Sequence, residues 1–329
     1  MSYFAVIGAG SWGTTLANHL AEKGHDVSLW ANEKEVVDEI NGKCVNSIYL
    51  PGVRLSDNIR ATDSLEDTLK NSRFVLNVVP SQFARPVFNK AAEFIPKDAV
   101  VISASKGIEH GTLLTLSPVL KDITGRQVAA LSGPSFADEV SKKLPTAVTV
   151  AADNRDTCIL LQDIFNTEYF RVYTSRDIIG VELGGALKNV MAIASGISDG
   201  LGLGSSARAA LITRGLAEMT RLGIVMGAEE KTFSGLSGLG DLVLTCTGRL
   251  SRNYSVGFKL GKGERLSDIL SSTKTVAEGV ATSKSAFELA RKHNVEMPIV
   301  EQIYMVINDG KNPGEAVKQL MNRALKSEF

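Results

Sequence analysis

The first half of the chain alternates short apolar runs with amphipathic segments. Residues 3–7 are β-branched and aromatic and predict a strand; residues 14–23 carry a helical period closed by Gly24; residues 26–30 predict a second strand. Further apolar runs at 74–79 (stopped by Pro80), 99–103, 128–131 and 146–151 read as buried strands, with 171–174 as a last one. Alternation of this kind predicts an α/β unit, a doubly wound parallel sheet covered by helices on both faces. From about Ile178 the pattern changes. Helix-period segments follow one another at 181–195, 207–221, 281–293 and 299–308, the last begun by Pro298, with few convincing strands. The expected organisation is therefore a sheet domain over residues 1–179 and an all-helical domain over residues 180–329. No linker rich in Pro or Ser divides them, so a tight shared interface is expected.

One of those helical segments carries an anomaly. Along residues 181–195 the expected core face is Leu183, Ala186, Leu187, Val190, Ile193 and Ala194, and the opposite face should be polar if it met water. Instead, Lys188 has Val181, Gly184, Gly185, Met191, Ala192 and Ser195 three, four and seven positions away. A helix apolar or small all round is expected to be buried, and lysine is almost never fully buried without a partner. Desolvation lowers a lysine's pKa and suits it to proton transfer near neutral pH. Gly184 and Gly185 are expected to leave space for a ligand. The helix alone equally admits a lysine that snorkels out of the core or pairs structurally.

Length and composition narrow the picture. A chain of 329 residues is long for one core and suggests two domains. Lys+Arg and Asp+Glu balance at 36 each with no basic tract, which argues against a nucleic-acid partner. Four scattered His and the three separated cysteines Cys44, Cys158 and Cys246 form neither a zinc pattern nor a disulfide framework, so no metal is expected and a reducing cytoplasm fits. The chain starts almost directly with a strand rather than a signal peptide. No apolar run approaches about 18 residues, so no membrane span is expected.

Gly8-Ala9-Gly10-Ser11-Trp12-Gly13 is G-x-G-x-x-G, a weak pattern by itself. Here it follows a predicted strand and opens a helix, the context in which it marks a dinucleotide site. Gly8 makes the tight turn, Gly10 lets backbone approach a pyrophosphate, and Gly13 lets helix and strand pack closely. Free N–H groups at the helix start then meet negative charge. In an open α/β sheet ligands lie beyond the carboxyl ends of the strands. Three more polar loops fall at such ends: Pro80-Ser81-Gln82-Phe83, Ser103-Ala-Ser-Lys106-Gly107 and Ser132-Gly133-Pro134-Ser135-Phe136-Ala137. Lys106 can bring positive charge there, Ser135 can donate at a helix start, and Phe83 can pack on a nicotinamide. After the second strand the chain reads Leu29-Trp30-Ala31-Asn32-Glu33-Lys34. No acid stands at the strand end, Glu33 comes a little late, and the nearest cation is Lys34, a pattern that leans away from strict NAD use.

Gly238-Leu-Gly240-Asp241 puts an acid beside a Gly-rich turn, and Ser251-Arg252-Asn253 follows ten residues later. An arginine with amide and hydroxyl neighbours suits a phosphate or carboxylate, although helix caps and a surface arginine would produce the same residues. With these segments in view, the chain closely resembles the bacterial NAD(P)-dependent glycerol-3-phosphate dehydrogenases nearly end to end. The resemblance rests on GAGSWG at 8–13, VPSQF at 79–83, ASKGIE at 104–109, LSGPSFA at 131–137, ELGGALKNVMAI at 182–193, DGLGLG at 199–204, AALITRGL at 209–216, GDLVLTC at 240–246 and SRN at 251–253. It implies a Rossmann-like domain followed by a helical domain.

By position, the resemblance makes Lys188 the catalytic proton donor and acceptor, with Asp241 orienting it. Lys106 touches both cofactor and substrate. Gly133, Ser135, Asp241, Ser251, Arg252 and Asn253 match substrate contacts, with Arg252 also near the cofactor. Ser11, Trp12, Ala137, Val276 and Glu278 match cofactor contacts, beside Gly8, Gly10, Gly13 and Phe83. The implied reaction is reversible hydride transfer between NADP or NAD and dihydroxyacetone phosphate, giving sn-glycerol 3-phosphate for glycerophospholipid synthesis. The implied assembly is a homodimer.

The chain departs from the family pattern at two places. Asn32 stands where NADP-using relatives often carry Arg or His, which opens dual use or a shift towards NAD. Ser206 stands where the family commonly has Asn. Two other readings share the residues: a ketopantoate-type reductase whose Arg252 binds carboxylate, and a non-catalytic dinucleotide sensor. Turnover with each ketone separates them.

Overall fold

The computed structural model describes residues 3–272, 276–325 and 327–328. Ten strands lie among them: β1 (Tyr3–Ile7), β2 (Asp26–Trp30), β3 (Val45–Asn46), β4 (Leu50–Arg54), β5 (Ile59–Thr62), β6 (Phe74–Asn77), β7 (Val100–Ser103), β8 (Gln127–Ser132), β9 (Thr146–Ala152) and β10 (Phe170–Ser175). Eight form one sheet in the order β10-β9-β8-β7-β6-β1-β2-β5, and β3 and β4 form a separate antiparallel pair. Successive side chains of β1 take opposite faces, as period 2 demands. Phe4 and Val6 join one core layer with Leu16, Leu20, Leu29 and Leu76, whereas Ala5 and Ile7 join the other with Val75, Phe88, Val101 and Leu120.

The sheet is parallel except at one pair. β9 runs antiparallel to β8, with Leu131 opposite Val150, which corrects the all-parallel expectation. A parallel return needs a crossover of a dozen or more residues, normally with a full helix. The link between β8 and β9 holds only the short helix Ala137–Ser141, so the chain turns back beside β8. The helix Arg155–Phe165 then carries it across to β10, which is parallel to β9. Two elements lacked a sequence signal. β5 is a four-residue edge strand, β3 has only two residues, and β4 carries Pro51 and Gly52, which break any apolar alternation. Asn41 clamps the β5 edge, its side-chain amide donating to Ala61 O (2.8 Å) and its carbonyl accepting from Ala61 N (2.9 Å).

The chain leaves β1 toward β2 and β5, then returns to β6 on the other side of β1. That reversal is the topological switch point where such sheets bind ligands. The glycine segment stands there, and Gly8 (φ +117°) leaves no more than 3.0 Å between an added Cβ and the backbone of Val78 and Val79.

The helical part is organised by one helix, Ile178–Gly200, longer than the 181–195 segment read from the sequence. By length and composition it could cross a membrane, but 89 % of its apolar window is buried inside the protein. Its core includes Leu183, Leu187, Val190 and Ile193 with Leu222, Phe233, Leu289 and Ile303 from surrounding helices. Val181 and Ile178 also pack on Ala130 and Ala151 of the sheet, so this helix ties the two parts together.

Candidate active site

The glycine segment is built as a dinucleotide cradle requires. The helix Ser11–Glu22 starts inside the motif, three residues earlier than the periodicity suggested. Gly10 is its N-cap, with no side chain covering the free N–H groups and no acid in the first turn. A Cβ on Gly13 would fall 1.8 Å from Gly8 O, so only glycine lets the turn and helix meet. A Cβ on Gly10 would meet nothing within 4 Å, so its backbone faces open space. The segment therefore fits a pyrophosphate. Ser11 and Trp12 are half-buried in the helix's first turn. Ala137 O accepts from Thr15 Oγ1 (3.3 Å), which brings the 132–137 loop against the same helix. Phe83 is 57 % exposed at the end of the short turn Ser81–Phe83, and Asn32 is exposed beyond β2.

Lys188 is buried, 7 % exposed, in the middle of the helix Ile178–Gly200. Its Nζ donates to Asp241 Oδ1 (3.0 Å) and to Thr245 Oγ1 (2.7 Å). Asp241 opens the helix Asp241–Thr247, and its other oxygen, Oδ2, accepts from Lys106 Nζ (2.7 Å). Lys106 also donates to Gly133 O (2.9 Å). One carboxylate thus joins a lysine from the β7 loop to a lysine from the helical part. Burial pushes the Asp241 carboxyl up, but Lys106 and Lys188 together overcome this and hold it below its ordinary value. Lys188 is lowered to about 8, chiefly by desolvation; Asp241 opposes the shift and the Lys106 charge adds to it. The arrangement can donate and recover a proton near neutral pH.

Gly184 and Gly185 do not leave open space, contrary to the sequence expectation. A Cβ on Gly184 would lie 2.4 Å from Ser237 O, and one on Gly185 would lie 2.6 Å from Ser132 Oγ and 3.4 Å from the Lys106 stem. They admit neighbouring protein: the turn Leu236–Gly240 on one side and the side chain of Lys106 on the other.

A second polar chain runs beside the lysines. Asn253 Nδ2 donates to Asn189 Oδ1 (2.9 Å), and Asn253 Oδ1 accepts from Gly279 N (2.9 Å). Asn189 Nδ2 reaches Lys106 O (3.3 Å). Glu278 accepts from Ser81 N (3.0 Å) and Ser81 Oγ, and burial raises its pKa. Arg252 is exposed at the start of the helix Arg252–Gly261. Desolvation lowers its pKa while Glu278 opposes the shift. Ser251 Oγ caps its own helix by accepting from Tyr254 N (3.1 Å), and Ser135 Oγ donates to Gly133 O (3.0 Å). Val276, 41 % exposed, precedes the helix Glu278–Lys292.

Lys106, Gly133, Lys188, Asp241 and Asn253 are thus drawn into one site, while Asn32 stands apart beyond β2. Sequence reasoning missed Thr245 and Asn189. Thr245 was reachable through its i, i+4 spacing from Asp241 on one helix. Asn189 directly follows Lys188 and had no distinguishing spacing.

Known proteins match this architecture along nearly its whole length. Residues 3–158 match the model described as NAD-dependent glycerol-3-phosphate dehydrogenase N-terminus, and residues 177–318 match the corresponding C-terminus. A protein of Citrifermentans bemidjiense named glycerol-3-phosphate dehydrogenase [NAD(P)+] is 56 % identical over 328 residues, covering 98 % of each chain. One of the same name from Geobacter sulfurreducens is 54 % identical over 327 residues, again covering 98 % of each. The crystal structure of glycerol-3-phosphate dehydrogenase from Coxiella burnetii superposes with a TM-score of 0.95 at 42 % identity, covering 98 % of this chain and 99 % of that one. A ketopantoate reductase from Ralstonia eutropha shares the fold alone, at a TM-score of 0.62 and 15 % identity. With both parts of the chain matched and identity above half over its length, this protein belongs to the NAD-dependent glycerol-3-phosphate dehydrogenase family.

Proposed function

We propose that this chain catalyses reversible hydride transfer between NAD(P)H and C2 of dihydroxyacetone phosphate, giving sn-glycerol 3-phosphate, with Lys188 as the proton donor. The observation that carries this reading is the single carboxylate of Asp241 shared by Lys188 and Lys106 where the sheet and the helical part meet. The nicotinamide cofactor supplies the hydride. As C2 is reduced, negative charge grows on its oxygen; Lys188 stabilises that charge and gives it a proton, and the reverse reaction returns the proton to Lys188. Asp241 and Thr245 hold the Lys188 ammonium in place. Lys106 adds positive potential, and Arg252 with Asn253, Ser251, Ser135 and Gly133 holds the phosphorylated substrate.

In this reading residues 1–179 hold the cofactor, through Gly8, Gly10, Ser11, Trp12, Gly13, Asn32, Phe83 and Ala137, and residues 180–329 close over the substrate. Val276 and Glu278 complete the cofactor side. We place the enzyme in the cytoplasm, as a homodimer whose product is available to phospholipid synthesis.

The test is turnover of dihydroxyacetone phosphate with NADH and with NADPH, beside ketopantoate as a competing substrate. Lys188→Ala is expected to abolish turnover while nucleotide affinity stays nearly unchanged. A near-normal kcat in that variant, or faster reduction of ketopantoate, would sink the reading.

A further inference from the structure

The β3–β4 pair, invisible in the sequence pattern, is keyed to the glycine segment. Asn46 Nδ2 donates to Ala9 O (2.9 Å) and to Thr14 Oγ1 (2.8 Å), and Asn46 Oδ1 accepts from Tyr49 N (3.2 Å). Tyr49 is therefore set in position relative to the cradle. Its phenol donates to Glu33 Oε1 (2.8 Å). Burial, then the bond to Glu33, push that phenol up to about 12, so it remains a donor at any working pH. Glu33 is the N-cap of the helix Lys34–Lys43, yet its carboxylate makes no cap bond and turns to Tyr49 instead. It lies twenty positions after Gly13 and just past the carboxyl end of β2, whose Trp30 is in register with Ile7, the residue before Gly8. This is the edge of the sheet where an acid meets the ribose hydroxyls of NAD and an arginine would accommodate the 2′-phosphate of NADP.

We propose that Glu33, positioned by Tyr49, makes this chain favour NADH over NADPH. The inference rests on the reading of the glycine segment as a dinucleotide site. A carboxylate accepts from a neutral 2′-hydroxyl and repels a 2′-phosphate. The one cation beside it in sequence, Lys34, lies between Glu33 and Glu35, so two acids against one base leave residues 33–35 with net negative charge. Asn32 can hydrogen-bond a ribose but brings no charge. Tyr49 acts as a positioning residue: its bond removes rotamer freedom from the Glu33 side chain and keeps the carboxylate on the cradle side.

The experiment is direct titration of the full-length protein with NADH and with NADPH, read by nicotinamide fluorescence and independently of turnover. The wild-type protein is expected to bind NADH about tenfold or more tightly than NADPH. Glu33→Gln should narrow that ratio severalfold, Tyr49→Phe should narrow it less without lowering the melting temperature appreciably, and Asn32→Arg with Glu33→Gln should invert it. Binding of both nucleotides with equal affinity, or a ratio unmoved by Glu33→Gln, overturns this inference and leaves the dinucleotide site standing. Binding of neither nucleotide overturns both.

Discussion

Two lysines share one carboxylate at Asp241, and that sharing governs the chemistry available to Lys188. A lysine lowered to about 8 is protonated below that pH and neutral above it. Reduction of a ketone needs the protonated form and oxidation of the alcohol needs the neutral form. The kcat for reduction should therefore fall as pH rises through about 8, while that for oxidation should rise. Asp241→Asn removes the anion that raises the Lys188 pKa and keeps the Lys106 charge that lowers it. The falling limb should move to lower pH and kcat should drop by about a hundredfold. Paired pH profiles check this; a limb that stays put or moves upward would count against the assignment. The lysine itself was legible because a charge on a helix apolar all round is a conflict within the sequence. Of its partners, Asp241 was expected as the residue that orients it, whereas Thr245 was not: it lies more than fifty positions away, and only packing sets it against Nζ.

Among elements, the helix Ile178–Gly200 and the helix Arg252–Gly261 meet with backbone against backbone. A Cβ on Gly257 would fall 2.0 Å from Ile193 O, and one on Gly196 would fall 2.1 Å from Tyr254 O. Neither carbonyl can yield without moving a helix. Gly257→Ala should thus destabilise the fold by about 1–3 kcal/mol or more, despite alanine's better helix propensity. Ser255→Ala, on an exposed position of the same helix, should cost far less. Urea denaturation of both variants measures the difference, and equal losses would mean that the contact is soft. The same helix carries Arg252 and Asn253, so displacing it should also raise KM for the phosphorylated ketone. Strand content was legible wherever an apolar run was long, as at β1, β2 and β9. The direction of β9 was not, because direction depends on the length and helix content of the preceding link rather than on the strand's own residues.

At the level of the whole molecule, the site exists only where the two parts meet. Lys106, Ser81 and Gly133 come from loops at the sheet edge; Lys188, Asp241, Asn253 and Glu278 come from the helical part. Another buried carboxyl spans the same junction. Glu182 Oε1 accepts from Ser117 N (2.9 Å) and Ser117 Oγ (2.8 Å). Burial raises Glu182 from 4.5 to about 7, with the Thr115 and Ser117 hydrogen bonds opposing the shift. The folded state therefore holds a proton that the unfolded chain releases. This contribution to stability is fully present below about pH 4.5 and is lost as pH rises through 7. Glu182→Gln keeps the Ser117 bonds and removes the titration, so its stability should decline less than that of the wild type between about pH 5 and 8. Glu218, also raised to about 7 by burial, remains in the variant, so the slope should shrink without vanishing. Denaturation midpoints across that range test it, and parallel slopes for the two proteins would refute the assignment.

The two-part plan, the glycine cradle and the lysine that does not belong on its helix are all readable from the order of residues. Each of these is a local pattern: a period of two or of 3.6, a turn that only glycine can make, or a charge among apolar neighbours. Packing alone sets Thr245 against Lys188, fills the space beside Gly184 and Gly185 with protein rather than ligand, and ties Glu33 to Tyr49 beside the cradle. Those contacts join residues far apart in the chain. Their geometry depends on how helices and loops pack, which no short window of sequence encodes.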